Sequence, residues 1–166
     1  MQEKPKPLNR VEGPPPRGPD VWIVRVRPKI AFVGQIVSDS VWGVMVHWEG
    51  RTRECNGEEN CERCHAGLSN KYLGYLYCWD SFRKEYIFLE LTGDAVEELW
   101  RLAGTKDKLR GLIIEARRRG DGPKTGLVIS IREPVNDTSS LPEPRDPEEV
   151  LRRLWGWKKG VLKKSN

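Results

Sequence analysis

The sequence predicts a mainly β domain, a small five-stranded barrel with one helix between its third and fourth strands. Three observations lead there. Seven segments between residues 21 and 133 are rich in β-branched and aromatic residues, several with the period-2 alternation of a strand. Within that span GDAVEELWRLAG repeats its apolar residues at helical spacing. Segments rich in proline and small polar residues, at 1–20 and about 132–147, bracket the span as one domain.

Residues 1–20 hold six prolines and two glycines and almost nothing large and apolar, the composition of a disordered arm. The domain proper is expected over 21–133. VWIVRVRP (21–28) and IAFVGQIV (30–37) open it, the second closed by a turn-like SDS at 38–40. VWGVMVHW (41–48) leads into a Cys-rich loop, taken as 47–70. KYLGYLYCWD (71–80) and KEYIFLEL (84–91) make a hairpin across the short SFR. Thr92 is placed to N-cap the helix, whose Ala95, Val96, Leu99, Leu102 and Ala103 share one face. LRGLIIEARRR and TGLVISIRE form a last hairpin through GDGPK. From residue 41 this order is that of the OB-fold, and 21–37 extend its first strand or add an edge strand. A linker at 134–147 follows, then a short C-terminal helix and basic tail at 148–166. Asp146 is its N-cap and Pro147 its first helical residue, and Val150, Leu151, Leu154 and Trp155 form its apolar stripe.

At 166 residues, 37% hydrophobic and 32% charged, the chain has material for one modest core. It holds no apolar run of the roughly 18 residues that a membrane helix needs, so no membrane partner is expected. The polar N-terminus carries no secretory h-region, which makes the cytoplasm the expected compartment. Net charge is +5, with five Lys/Arg against three acids in 111–133 and six against two in 148–166. Such a balance suits a polyanionic partner. Four cysteines in a cytoplasmic chain favour metal binding over disulfides.

Those cysteines centre on CNGEENCERCH, residues 55–65. Its end, Cys61 to His65, matches the CxxCH of covalent haem attachment. That reading leaves Cys55 without a role and lacks the export signal haem attachment requires. The alternative is a zinc site, because a CxxC turn delivers two thiolates to one ion and two more ligands complete a tetrahedron. Cys55 supplies one. For the fourth, His47, Cys78 and His65 compete, and His47 is favoured because it closes the strand entering the loop. A site with four protein ligands has no open position for water, so its role is structural. Binding energies of about 10–16 kcal/mol are ample to fold a loop of this size.

The strand 84–91 sets Ile87, Leu89 and Leu91 on one side and Tyr86, Phe88 and Glu90 on the other. In 71–80, Leu76 and Cys78 oppose Tyr75, Tyr77 and Trp79. With the aliphatic sides inward, Tyr75, Tyr77, Trp79, Tyr86 and Phe88 form an outer platform on which bases can stack. A covering C-terminal helix would instead make these rings core. Arg117, Arg118, Arg119 and Lys124 in the last hairpin are placed for phosphates, and GDGPKT lacks the GxxxxGK[ST] spacing of a nucleotide-hydrolysing loop.

A zinc cluster between the first two strands of such a barrel resembles zinc-containing OB-fold single-stranded DNA-binding proteins. In that family are the C-terminal domain of the replication protein A large subunit and the helix-destabilising protein of T-even phages. The likeness is architectural and spans about residues 41–132. It implies His47, Cys55, Cys61 and Cys64 as zinc ligands and single-stranded DNA as partner. Unlike the acidic tip of many bacterial single-strand-binding proteins, the chain ends in KKGVLKKSN.

The expected function is therefore non-enzymatic binding of single-stranded DNA, with little sequence preference, in replication, recombination or repair. An RNA-binding module is one alternative. A protein-interaction subunit docking through the zinc loop and C-terminal helix is another. No catalytic constellation can be assembled from the two histidines and the dispersed carboxylates.

Overall fold

One long strand organises the chain. In the computed structural model, which describes residues 21–104, 109–122, 125–134, 139, 141, 145–156 and 163–165, β2 runs unbroken from Phe32 to Trp48. The sequence places a turn at SDS (38–40), but the structure carries the strand through it. Ile36 pairs with Cys78 and Val41 with Leu76, so residues 37–40 stand opposite Tyr77 alone. This bulge bends the strand rather than ending it. Ser38 and Ser40 are buried there, with the Ser38 hydroxyl donating to the Ser40 carbonyl at 3.0 Å.

The remaining elements are β1 (Trp22–Val24), β3 (Thr52–Glu54), α1 (Glu62–His65), β4 (Asn70–Asp80), β5 (Glu85–Thr92), α2 (Gly93–Ala103), β6 (Leu112–Arg118), β7 (Leu127–Pro134), α3 (Pro147–Trp155) and β8 (Lys163–Ser165). They build an open, mixed sheet in the order β1-β5-β4-β2-β6-β7, with β3 and β8 on the second half of β2. The segment 21–28 contributes only the three residues of β1, parallel to β5. A closed five-stranded barrel is not formed. Among the described residues no ladder joins β5 to β7, and β1 occupies the outer edge of β5.

Each face of the sheet has its own core. On one, Ile36, Leu76, Cys78, Ile87, Leu89 and Leu91 pack with Ala95, Val96 and Leu99 of α2 and with Ile114, Ala116 and Ile129. Gly74 lets α2 approach, because a Cβ there would lie 2.6 Å from Val96 Cγ2 and 3.0 Å from Val41 Cγ1. On the other face, Trp42, Val44, Val46, Leu73, Tyr75, Tyr77, Tyr86 and Phe88 pack with Val150 and Leu151 of α3. The α3 N-cap is as the sequence indicates, with Asp146 Oδ1 accepting from the Glu148 amide at 2.9 Å. Gly156, at φ 64°, ends the helix in the left-handed conformation suited to glycine.

The proline-rich arm 1–20, Lys124, most of the 134–147 linker and much of the basic tail lie outside the described residues. Among those described, no helix is long and apolar enough to cross a membrane.

Leu151 is wholly buried against the aromatic cluster. Leu151→Ala is expected to lower stability by about 2–5 kcal/mol in urea unfolding, the range for a large-to-small core change.

Candidate metal centre and aromatic face

The loop between β2 and β4 has almost no apolar core. Of residues 49–69, Cys61 alone is buried. Its order comes from polar geometry around four side chains. His47, the penultimate residue of β2, pairs in register with Asn70, the first residue of β4, so both strands enter the site from fixed backbones. The Cys55 amide donates to the Met45 carbonyl at 2.8 Å, which turns the chain back after β3. One turn of helix, α1, then presents Cys61 and Cys64 together, with the His65 amide bonded to the Cys61 carbonyl at 3.0 Å.

The ligand atoms of His47, Cys55, Cys61 and Cys64 all lie within 4.8 Å of one another. Cys55 Sγ is 3.5 Å from Cys64 Sγ, and His47 Nε2 is 3.4 Å from both Cys61 Sγ and Cys64 Sγ. With metal–sulfur and metal–nitrogen bonds of about 2.3 and 2.0–2.1 Å, a tetrahedron has edges of roughly 3.5–3.8 Å. These three separations lie close to such edges. This group can hold a metal ion, and its donor set of three sulfurs and one imidazole is compatible with zinc. Of the candidates for the fourth position only His47 lies in this group: His65 is exposed outside it, and Cys78 is buried in the α2-side core.

The surroundings orient the ligands. His47 Nδ1 lies 2.9 Å from the Ser69 carbonyl, so a proton on Nδ1 leaves the Nε2 lone pair turned to the sulfurs. The Asn70 amide reaches Cys55 Sγ at 3.7 Å and Cys64 Sγ at 3.9 Å. Sequence reasoning missed Ser69 and Asn70, since neither residue type is a ligand and only their place at the start of β4 gives them a role. Outside the cluster, Arg63 pairs with Glu49 at 2.6 Å and ties α1 to the end of β2.

Electrostatics points to a cation. Backbone N–H groups, that of Cys64 first, hold the Cys61 thiol down at about 6. Burial opposes ionisation of Cys55, but the Gly57 amide and the Asn70 side chain outweigh it and lower its pKa. Cys64 is pushed up to about 12 by burial and by the neighbouring Cys55 and Cys61 sulfurs. Burial disfavours a charged His47, yet its hydrogen bonds with Cys55 and Ser69 raise its pKa overall. Three thiolates at this spacing repel one another, and a bound divalent ion removes that penalty.

The aromatic face departs from expectation. Tyr75, Tyr77, Tyr86 and Phe88 do share one side of the hairpin, but they are 0–2% exposed, because α3 covers them. Tyr77 stacks on Phe88 with centroids 4.6 Å apart, and Trp79, half-buried, meets Tyr86 edge-on at 4.9 Å. Tyr75 donates to Glu90 at 3.3 Å, and Arg25 pairs with the same carboxylate at 2.8 Å. The five rings are thus packing groups, not an open platform.

The arginine triplet divides. Arg117 and Arg119 are exposed. Arg118 is committed to the fold, its guanidinium donating to the Val26 carbonyl at 2.9 Å and the Thr125 carbonyl at 2.7 Å.

Cys61→Ser and Cys78→Ser separate the two kinds of cysteine. Metal analysis of purified protein is expected to find one bound ion per chain in the parent and in Cys78→Ser, and a substoichiometric amount in Cys61→Ser. Equal metal in all three would contradict the assignment. Comparison of the chain with protein-family models, with curated proteins and with solved structures finds no match.

Proposed function

We propose that this chain is a non-enzymatic, zinc-stabilised module that binds single-stranded nucleic acid, single-stranded DNA first, in replication, recombination or repair. The observation that carries the reading is the position of the His47, Cys55, Cys61 and Cys64 cluster. It sits in the connection between β2 and β4, the central strands of the run β5-β4-β2-β6-β7. That run, with α2 between β5 and β6, follows OB wiring in all but the closing β5–β7 ladder, which supports an opened OB-type barrel.

Zinc suits the donor set. With all four positions taken by protein, the ion would fold the loop rather than activate water. The loop's lack of buried apolar residues supports that role. Exposed Arg117 and Arg119 on the β6–β7 hairpin, on a chain of net charge +5, supply cations for phosphates. The same chemistry would serve RNA.

One observation favours a second reading, a protein-interaction subunit. The aromatic rings that a single-strand binder would offer to bases are already covered by α3.

Intrinsic tryptophan fluorescence, titrated with dT, rU and duplex oligomers at two salt concentrations, distinguishes these readings. A single-strand DNA binder is expected to respond to dT over duplex and rU, with a log–log salt slope of about −0.7 per phosphate neutralised. Arg117→Glu with Arg119→Glu is expected to weaken that response. An equal response to rU would extend the ligand to RNA. No response to any oligomer would refute nucleic-acid binding and leave the protein-interaction reading.

A further inference from the structure

The turn between β4 and β5 displays a side chain that the fold does not use. Asp80 Oδ1 accepts from the Phe82 amide at 2.9 Å and the Arg83 amide at 3.1 Å, and the Lys84 amide returns to the Asp80 carbonyl at 2.7 Å. Those bonds hold the turn with the Phe82 ring 95% exposed. Ile30 and Val33, 63% and 39% exposed, line the same groove of about 480 Å³, which runs between the β1 segment and the start of β2.

The charges around this groove are unevenly matched. Arg25 is held by Glu90, and Arg83 lies 3.8 Å from both Asp80 and Glu85. Arg27, Lys29 and Lys84 are exposed and, among the described residues, have no carboxylate partner. The Arg118 bond to the Val26 carbonyl sets the β6–β7 hairpin, with exposed Arg117 and Arg119, against the groove's wall. An exposed aromatic ring on an apolar floor, flanked by unpaired cations, is the combination that receives an unpaired base and its phosphates. A carboxylate-rich or purely apolar partner would leave either the ring or the cations unused.

We infer that single-stranded nucleic acid lies in this groove, with Phe82 as the base-stacking platform and Arg27, Lys29 and Lys84 on its phosphates. This rests on the nucleic-acid reading above and replaces the covered aromatic face as the contact surface.

The test uses the full chain and a fluorescein-labelled dT oligomer, followed by anisotropy at two salt concentrations with unlabelled rU as competitor. Phe82→Ala is expected to weaken binding roughly 5- to 150-fold, and Phe82→Trp to restore it. Arg27→Glu with Lys29→Glu is expected to weaken binding and to flatten the log–log salt slope by about 1.4, two phosphates at about 0.7 each. Since Phe82 is 95% exposed, its thermal unfolding midpoint should match the parent's, which separates lost contact from lost fold. Competition by rU as strong as by dT would extend the ligand to RNA and leave the groove assignment standing. Parent-like affinity in Phe82→Ala and in the charge-reversed variant, with tight binding by the parent, would overturn the groove and leave the nucleic-acid reading intact. No binding of dT or rU by the parent would overturn both. Self-association lost in Phe82→Ala, with oligomer affinity unchanged, would assign the groove to a second copy of the chain and overturn the proposal.

Discussion

The structure depends on the commitment of β2 along its whole length. Its first half bonds to β6, its second half to β3 and β8, and both halves bond to β4 across the 37–40 bulge. Few strand interiors can be so loaded without a bend, and the bulge provides it. One consequence is that His47, near the far end of this strand, is an anchored candidate ligand: its backbone pairs with Arg53 on one side and Asn70 on the other. The loop beyond it has a single buried residue, Cys61, whose Sγ lies 3.4 Å from His47 Nε2. Sheet and candidate metal centre meet at that residue.

The same strand explains why the sheet needs two layers of cover. Alternation along β2, β4 and β5 gives each face a full set of large apolar groups. Leaving either face in water would forgo about 25 cal/mol for every Å² of apolar surface. α2 covers the aliphatic face and α3 the aromatic one. Glu90 links Arg25 and Tyr75 on the aromatic face under that cover, and burial together with the Glu90 charge holds the Tyr75 hydroxyl well above the ordinary tyrosine range.

Much of this was legible in the residues. Period-2 alternation sorted Leu76, Ile87 and Leu89 from Tyr77, Tyr86 and Phe88 onto opposite faces, and the spacing with its favoured His47 picked out four side chains that the structure brings together as a group able to hold a metal ion. Periodicity reports which residues share a face, not what lies over that face, so the tyrosines read as a platform although α3 sits on them. The Ser-Asp-Ser at 38–40 looked like a turn because its residue types favour turns, whereas here the serines are buried in a bulge. Arg118 looked like its neighbours because a bond to a carbonyl 92 positions away leaves no local trace. Phe82 drew no attention because a lone aromatic in a short turn gives no periodic signal, and its 95% exposure shows only in the structure.

X-ray absorption at the zinc edge of the purified chain tests most directly the claim that these four side chains hold one ion. The account predicts three sulfur scatterers at about 2.3 Å and one imidazole nitrogen at about 2.0–2.1 Å. A four-sulfur shell, an oxygen-rich shell, or protein that purifies without metal and with the loop folded would contradict it.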